Sequence, residues 1–305
     1  MKIAEFIESN ISERLRKQLK GFFIAFPALL CLTAFLAIPC LGLVLISFAT
    51  RGEFGDIQWI LTFDNYKRLI GFSNYGWSPD FLFIMLRSLR EAFVTTFVCV
   101  LISYPLGFFI SARKSAFSRL VWLILLNIPF CTNIVIRTYA WQLILSPQTP
   151  LAQLSAYVGL TPPGSALYPG TFAVYLGMIT TFLPFTALPL YAAIERMNWS
   201  LVEAAKDLYA SRIKIFFQAI FPQTIHGLFA GIIITFVPAM AMYVVTDILG
   251  GAKYMLVGNL IQLQFSQARD WPFGATLSLA LMALTLLSFM LFRVTRITKQ
   301  DTGIY

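Results

Sequence analysis

The apolar residues of this chain are not distributed to build one core. They are parcelled into six blocks, at about 22–48, 90–112, 120–145, 171–194, 228–249 and 273–292. Every block has 20 or more residues, enough at ~1.5 Å per residue to cross ~30 Å of hydrocarbon. The pattern predicts an all-α polytopic membrane protein with six transmembrane helices. The first block is 27 residues long, too long for the core of a signal peptide, and is expected to be a retained span. A polar lead of mixed charge, 1–21, precedes it, and a short polar tail, 297–305, follows the last block. The segments between blocks differ in kind. Residues 49–87 form a long loop rich in aromatics and glycine, and 113–119 a short basic turn. Residues 146–170 contain five prolines and no Lys or Arg.

Another inter-block stretch, 200–222, is the most informative. It carries Glu203, Lys206, Asp207, Arg212 and Lys214 between two apolar blocks, a charge load that lipid does not ask for. Ser200 with Glu203 three residues later has the pattern of a capping box, so a helix is expected to start there. Leu201, Ala204, Ala205 and Leu208 then fall at helical spacing and give a short amphipathic helix. Ser211 is placed to open a second helix that runs up to Pro222. On pattern alone the stretch reads equally as a helix lying in the membrane interface.

Composition agrees with a membrane protein: 58% of residues are hydrophobic and only 12% charged. The net charge of +9 does not point to nucleic acid, because the basic residues gather at the ends of the apolar blocks. With the N-terminus inside, fifteen Lys and Arg fall in inner segments and seven in outer ones. The positive-inside rule thus places both termini and 200–222 in the cytoplasm. The four cysteines lie inside apolar blocks without a CxxC pair, as buried small hydrophobes rather than a disulfide or metal framework.

There is one histidine, His226, and no HExxH, Walker A or glycine-rich dinucleotide motif. No enzyme activity, cofactor or metal is expected, and any energy input must come from another chain. Two ionisable residues lie deep in apolar blocks, where a charge is expensive. Arg137 comes ~17 residues into the third block and Asp247 ~19 into the fifth, so straight helices would put them ~25 and ~28 Å from the inner face. They are expected to lie at similar depth near the outer end, to interact, and to border a substrate pathway; alternatively Arg137 snorkels to the interface. Tyr139, Trp141 and Tyr243 fall near the same level. They read either as an interfacial aromatic belt or as faces for a cationic solute.

The stretch 200–222 resembles the cytoplasmic EAA loop of ABC importer permeases: Glu-Ala-Ala, three residues, Gly, nine residues, Ile, one residue, Leu-Pro. Glu203, Ala204, Ala205 and Pro222 match. Ala219 and Phe221 replace the Ile and Leu, and Tyr209 stands where the Gly belongs. A bulky residue resists the left-handed turn that Gly allows, so either the turn is made differently or the two helices run on. Farther along, the Gly250-Gly251-Ala252-Lys253 turn, Gly258-Asn259 and Arg269-Asp270-Trp271-Pro272-Phe273-Gly274 resemble the B-type permeases of spermidine/putrescine ABC importers, as does the run from Arg137 to Trp141. The resemblance implies the type I importer permease fold in a bacterial inner membrane. It also implies a second homologous permease, two cytoplasmic ATPase subunits, an extracytoplasmic binding protein and a small cationic substrate. It further implies that Ser200, Glu203, Ala204, Ala205, Asp207, Tyr209 and Pro222 belong to a coupling helix that docks on an ATPase. A bulky side chain at Ala204 or Ala205 would hold that partner off. An importer of another small solute, or a secondary transporter needing no ATPase, is compatible with the spans alone.

Overall fold

The computed structural model describes residues 2–301 apart from 74, 75, 160, 161, 163, 252 and 253, and the side chains at 1–24, 73 and 291–305 lie outside the described set. Helix α1 (Lys2–Ser47) is unbroken, so the lead expected at 1–21 continues into the first span. Two short hairpins follow, β1 (Thr50–Arg51) with β2 (Ile57–Gln58) and β3 (Phe72–Ser73) with β4 (Gly76–Trp77), separated by α2 (Asp64–Ile70). The second span is α3 (Asp80–Ser111), ten residues longer at its start than the apolar block. Pro79 and Asp80 open it, and the charges at Asp80, Arg87, Arg90 and Glu91 hide that first third from a hydropathy reading.

The third block is not one helix. It divides into α4 (Ala116–Cys131) and α5 (Ile134–Ile144), bent by 92° at the break. Asn133 causes and stabilises the break: its side chain accepts the Val135 N–H at 2.8 Å and caps α5. Helix α6 (Pro150–Tyr157) leads to the fourth span, α7 (Thr171–Glu195). After the charged stretch 199–220 comes α10 (Phe221–Met240), and here too the expected block, 228–249, is interrupted. It stops at Met240, two residues after Pro238, and resumes as the short α11 (Val244–Gly250). Helices α12 (Val257–Ser266) and α13 (Trp271–Asp301) complete the chain. Among the described residues five helices are long and apolar enough to cross a membrane, and the bent pair α4–α5 makes the sixth candidate.

The centre of the fold is the packing of α3, α7 and α10. Helix α10 approaches α7 through Gly227 and Gly231, a small-xxx-small stripe suited to close helix contact in lipid. A Cβ on Gly227 would lie 2.5 Å from the Ala193 Cβ and 2.5 Å from the Pro189 oxygen, and one on Gly231 2.9 Å from the Thr186 oxygen. One turn on, the buried hydroxyls of Thr186 and Thr235 meet at 2.6 Å. Helix α1 packs on α13 and buries none of its most apolar stretch within the chain, leaving that face to lipid or another subunit.

Candidate functional site

The segment 199–220 folds as α8 (Trp199–Asp207), a turn, α9 (Arg212–Ile215) and one wide turn of π-helix (Phe216–Ile220) running into α10. The expected capping box is replaced by another cap. Asn198 caps α8, its Oδ1 accepting the Ser200 N–H at 3.1 Å and the Ser200 hydroxyl at 2.7 Å. Helix α8 thus starts earlier, and Glu203 sits mid-helix, exposed, instead of closing a box. Asn198 wins because its own N–H is held by the Gln223 side chain at 2.8 Å, a contact from 25 residues away that no local pattern encodes.

Ser211 does open the second helix, accepting from Lys214 N–H at 3.4 Å. Between the two helices the left-handed turn is kept. Tyr209 has φ +55°, its N–H bonds the Lys206 carbonyl at 2.9 Å, and the Ala210 N–H bonds the Ala205 carbonyl at 3.1 Å. This pair of bonds is a Schellman closure with tyrosine where glycine is usual, at a cost of roughly 1–2 kcal/mol. Pro222 has no N–H to donate, and the turn before it widens to π.

The segment stands on a fixed base. Met197, Val202, Ile215 and Ala219 form a small core with Phe108 of α3, Ala205 and Ala210. Trp199 meets Phe108 edge-on at 6.4 Å and Phe216 meets Tyr104 at 5.4 Å. Arg119 pairs with Glu195 at 2.8 Å, joining the start of α4 to the end of α7. A push on this segment therefore reaches α3, α7 and α10 through packed side chains. The base also separates two residues the sequence treats alike: Ala205 faces the chain's own core, whereas Glu203, Ala204, Asp207 and Tyr209 are exposed.

The candidates at the other end of the spans lie on α5 and α11, the two short helices that follow the breaks, and these helices pack together. Arg137 and Trp141, one turn apart, face α7, where the Arg137 guanidinium bonds Thr181 Oγ1 at 3.3 Å and the Trp141 indole N–H bonds Thr180 Oγ1 at 3.1 Å. Tyr139, Tyr243 and Asp247 are exposed. Arg137 and Asp247 form no ion pair among the described residues. The bend between α4 and α5 turns Arg137 back to the Pro129 carbonyl in the last turn of α4, and the depth drawn from a straight third helix does not hold.

The motifs of the later chain hold backbone in place. Asn259 accepts from Thr246 Oγ1 at 2.6 Å and donates to the Tyr243 carbonyl at 3.1 Å, fixing the break after α10. A Cβ on Gly258 would come 2.3 Å from the Ala241 oxygen. Asp270 accepts the Phe273 N–H at 3.2 Å, starting α13, and pairs with Arg68 of α2 at 2.7 Å, whose guanidinium lies 4.0 Å from the Phe273 ring centroid. Ala252 and Lys253 lie outside the described residues.

One buried charge escaped the sequence reading. Glu91 of α3 is 0% exposed and accepts from Arg90 at 2.6 Å. Burial, together with this neighbouring carboxylate, raises the Tyr254 phenol above its ordinary range. The Arg87 guanidinium lies 5.8 Å from the Tyr254 ring centroid. The signal was present as an acid directly after Arg90, hidden because the apolar block was taken to begin there.

Residues 103–300 match the family described as binding-protein-dependent transport system inner membrane component. The spermidine/putrescine transport system permease protein PotB of Escherichia coli K12 is 35% identical over 270 residues, covering 88% of this chain and 95% of that protein. PotB of Haemophilus influenzae is 35% identical over 267 residues, covering 87% and 91%. A solved bacterial ABC transporter involved in the import of the acidic polysaccharide alginate aligns with a TM-score of 0.59 at 17% identity, covering 92% of this chain and 98% of that one, a likeness of fold alone.

Proposed function

This chain belongs to the family of binding-protein-dependent transport system inner membrane components, a permease and not an enzyme, and on that premise we propose that it carries spermidine or putrescine into the cell. The observation supporting a polyamine is the 35% identity, over nearly the full length of both chains, to permeases named for that transport. In this reading the chain pairs with a second homologous permease. Two cytoplasmic ATPase subunits close on ATP, the segment 200–222 passes the movement to α3, α7 and α10, and an extracytoplasmic binding protein delivers the substrate. Ser200, Glu203, Ala204, Ala205, Asp207, Tyr209 and Pro222 form the coupling element, Ala205 and Pro222 by shaping it. The exposed Tyr139, Tyr243 and Asp247, with Arg137 and Trp141 behind them, border the pathway. The tyrosine faces and the Asp247 carboxylate suit an ammonium group.

A strain without polyamine importers should recover spermidine uptake when this chain is expressed with its partner subunits, and should recover less with Tyr243→Ala. No uptake of either polyamine by the wild-type complex would refute the substrate. A second reading, import of another small solute, is favoured by one feature: Asn259 and Asp270, carriers of the polyamine resemblance, bind backbone and other parts of the fold. Uptake of a different solute by the same strain would decide for it.

The termini and 200–222 are cytoplasmic in this reading, supported by the fifteen basic residues on that side against seven. A reporter joined after Gly159 should report from outside the inner membrane and one joined after Lys299 from the cytoplasm. The reverse at either site would overturn the orientation.

A further inference from the structure

Tyr209 is held in a backbone conformation that disfavours every side chain with a Cβ, and among the described residues no side-chain bond or ring contact of the tyrosine offsets that strain. The residue is 97% exposed. Among the described residues its side chain has no hydrogen bond, ring contact or cation over its face. Glycine at this place would keep both closing hydrogen bonds, which are made by backbone atoms alone. Two more apolar side chains stand out beside it: Leu208 is 81% exposed and Ile213 72%. Charged Lys206, Asp207, Arg212 and Lys214 surround them. An apolar tip on a fixed base, ringed by charge, has the make-up of an interface centre, where a tyrosine adds contact area at low entropic cost.

We propose that Tyr209 is an anchor by which this permease selects its ATPase subunit, the ring entering an apolar socket on that subunit. The inference rests on the reading of 200–222 as the coupling element, and extends it by naming a residue that discriminates among ATPases. A lipid surface fits the tip less well. The tip is ringed by both signs of charge, Glu203 and Asp207 as well as Lys206, Arg212 and Lys214, whereas an anionic lipid surface is matched by a cluster of Lys and Arg. The socket must be wide enough for a phenol, so an ATPase subunit suited to a glycine at this turn would be obstructed.

The test compares Tyr209→Gly, Tyr209→Phe and Ala204→Trp in the full complex, purified through a tag on the permease. Two quantities are measured: the ATPase subunit retained, and the thermal midpoint of the permease alone. Tyr209→Gly should leave the midpoint unchanged or higher, since the turn relaxes, yet weaken ATPase retention by about tenfold. Tyr209→Phe should retain the subunit close to wild type, because the ring is the anchor. A purely structural tyrosine would move the midpoint and not the retention. Wild-type retention by Tyr209→Gly overturns the proposal. Ala204→Trp then separates the two levels: if it still releases the ATPase, the coupling reading stands without the anchor, and if it does not, both fall.

Discussion

Gly227→Leu is expected to leave little folded permease in the membrane, the most severe outcome of any single change considered for this fold. The reason is the nature of the obstacle. A Cβ at 227 would meet the Pro189 carbonyl oxygen and the Ala193 Cβ at 2.5 Å, and neither belongs to a flexible side chain that can turn aside. Helix α10 would have to withdraw from α7, parting the buried Thr186 and Thr235 hydroxyls that meet at 2.6 Å. Overpacking a core costs roughly 1–3 kcal/mol where side chains can adjust, and here the backbone itself must move. In lipid there is no compensating gain from hiding apolar surface, because the tails are as apolar as the side chains and close packing carries the association. Gly227→Ala should show the same effect in milder form. Monodisperse protein recovered after detergent extraction, and its thermal midpoint, measure the outcome. Wild-type yield and midpoint for Gly227→Leu would show that α7 and α10 do not approach this closely.

That contact was written in the chain as Gly-Leu-Phe-Ala-Gly, yet it marks a helix face and not which helix it meets. The same division runs through the structure. Spans were legible because lipid demands long apolar runs, and the helix-turn-helix of 200–222 because it sets five charges between two such runs. The breaks were not, because apolar residues continue on both sides of Asn133 and Tyr243 and hydropathy is blind to direction. Pro129 and Pro238 were the available signs, but prolines also lie inside α1, α3 and α7 without ending them. The cap of α8 was misplaced by two residues because Ser200 and Asn198 are both good caps, and the choice between them is made by Gln223 from outside the segment. The depth counted for Arg137 failed for the same reason as the third helix, since a depth counted along a straight axis has no meaning past a 92° bend.

Ala204→Trp is expected to abolish ATP-driven uptake while the permease still inserts, extracts and melts as wild type. The sequence makes Ala204 and Ala205 equivalent, and the structure does not. Ala205 lies against the small core of Met197, Val202, Ile215 and Ala219, so an indole there would disturb the segment's own packing and confound any loss of transport. Ala204 is exposed on the outer face of α8, between Glu203 and the turn at Tyr209, and a large ring there has room within the chain. Any effect must then come from a partner held at a distance. Interfaces are packed as closely as protein interiors at their centres, so a bulky side chain beside the anchoring tip prevents the rest of the surface from engaging, and uptake should fall to background. Glu203→Ala makes a graded companion. With the capping role removed from Glu203, its loss should leave the thermal midpoint unchanged and weaken, without abolishing, the retention of ATPase. Uptake and ATPase co-purification are assayed in parallel on the same membranes. If Ala204→Trp keeps both at wild-type level, 200–222 is not the surface through which ATP hydrolysis drives this permease.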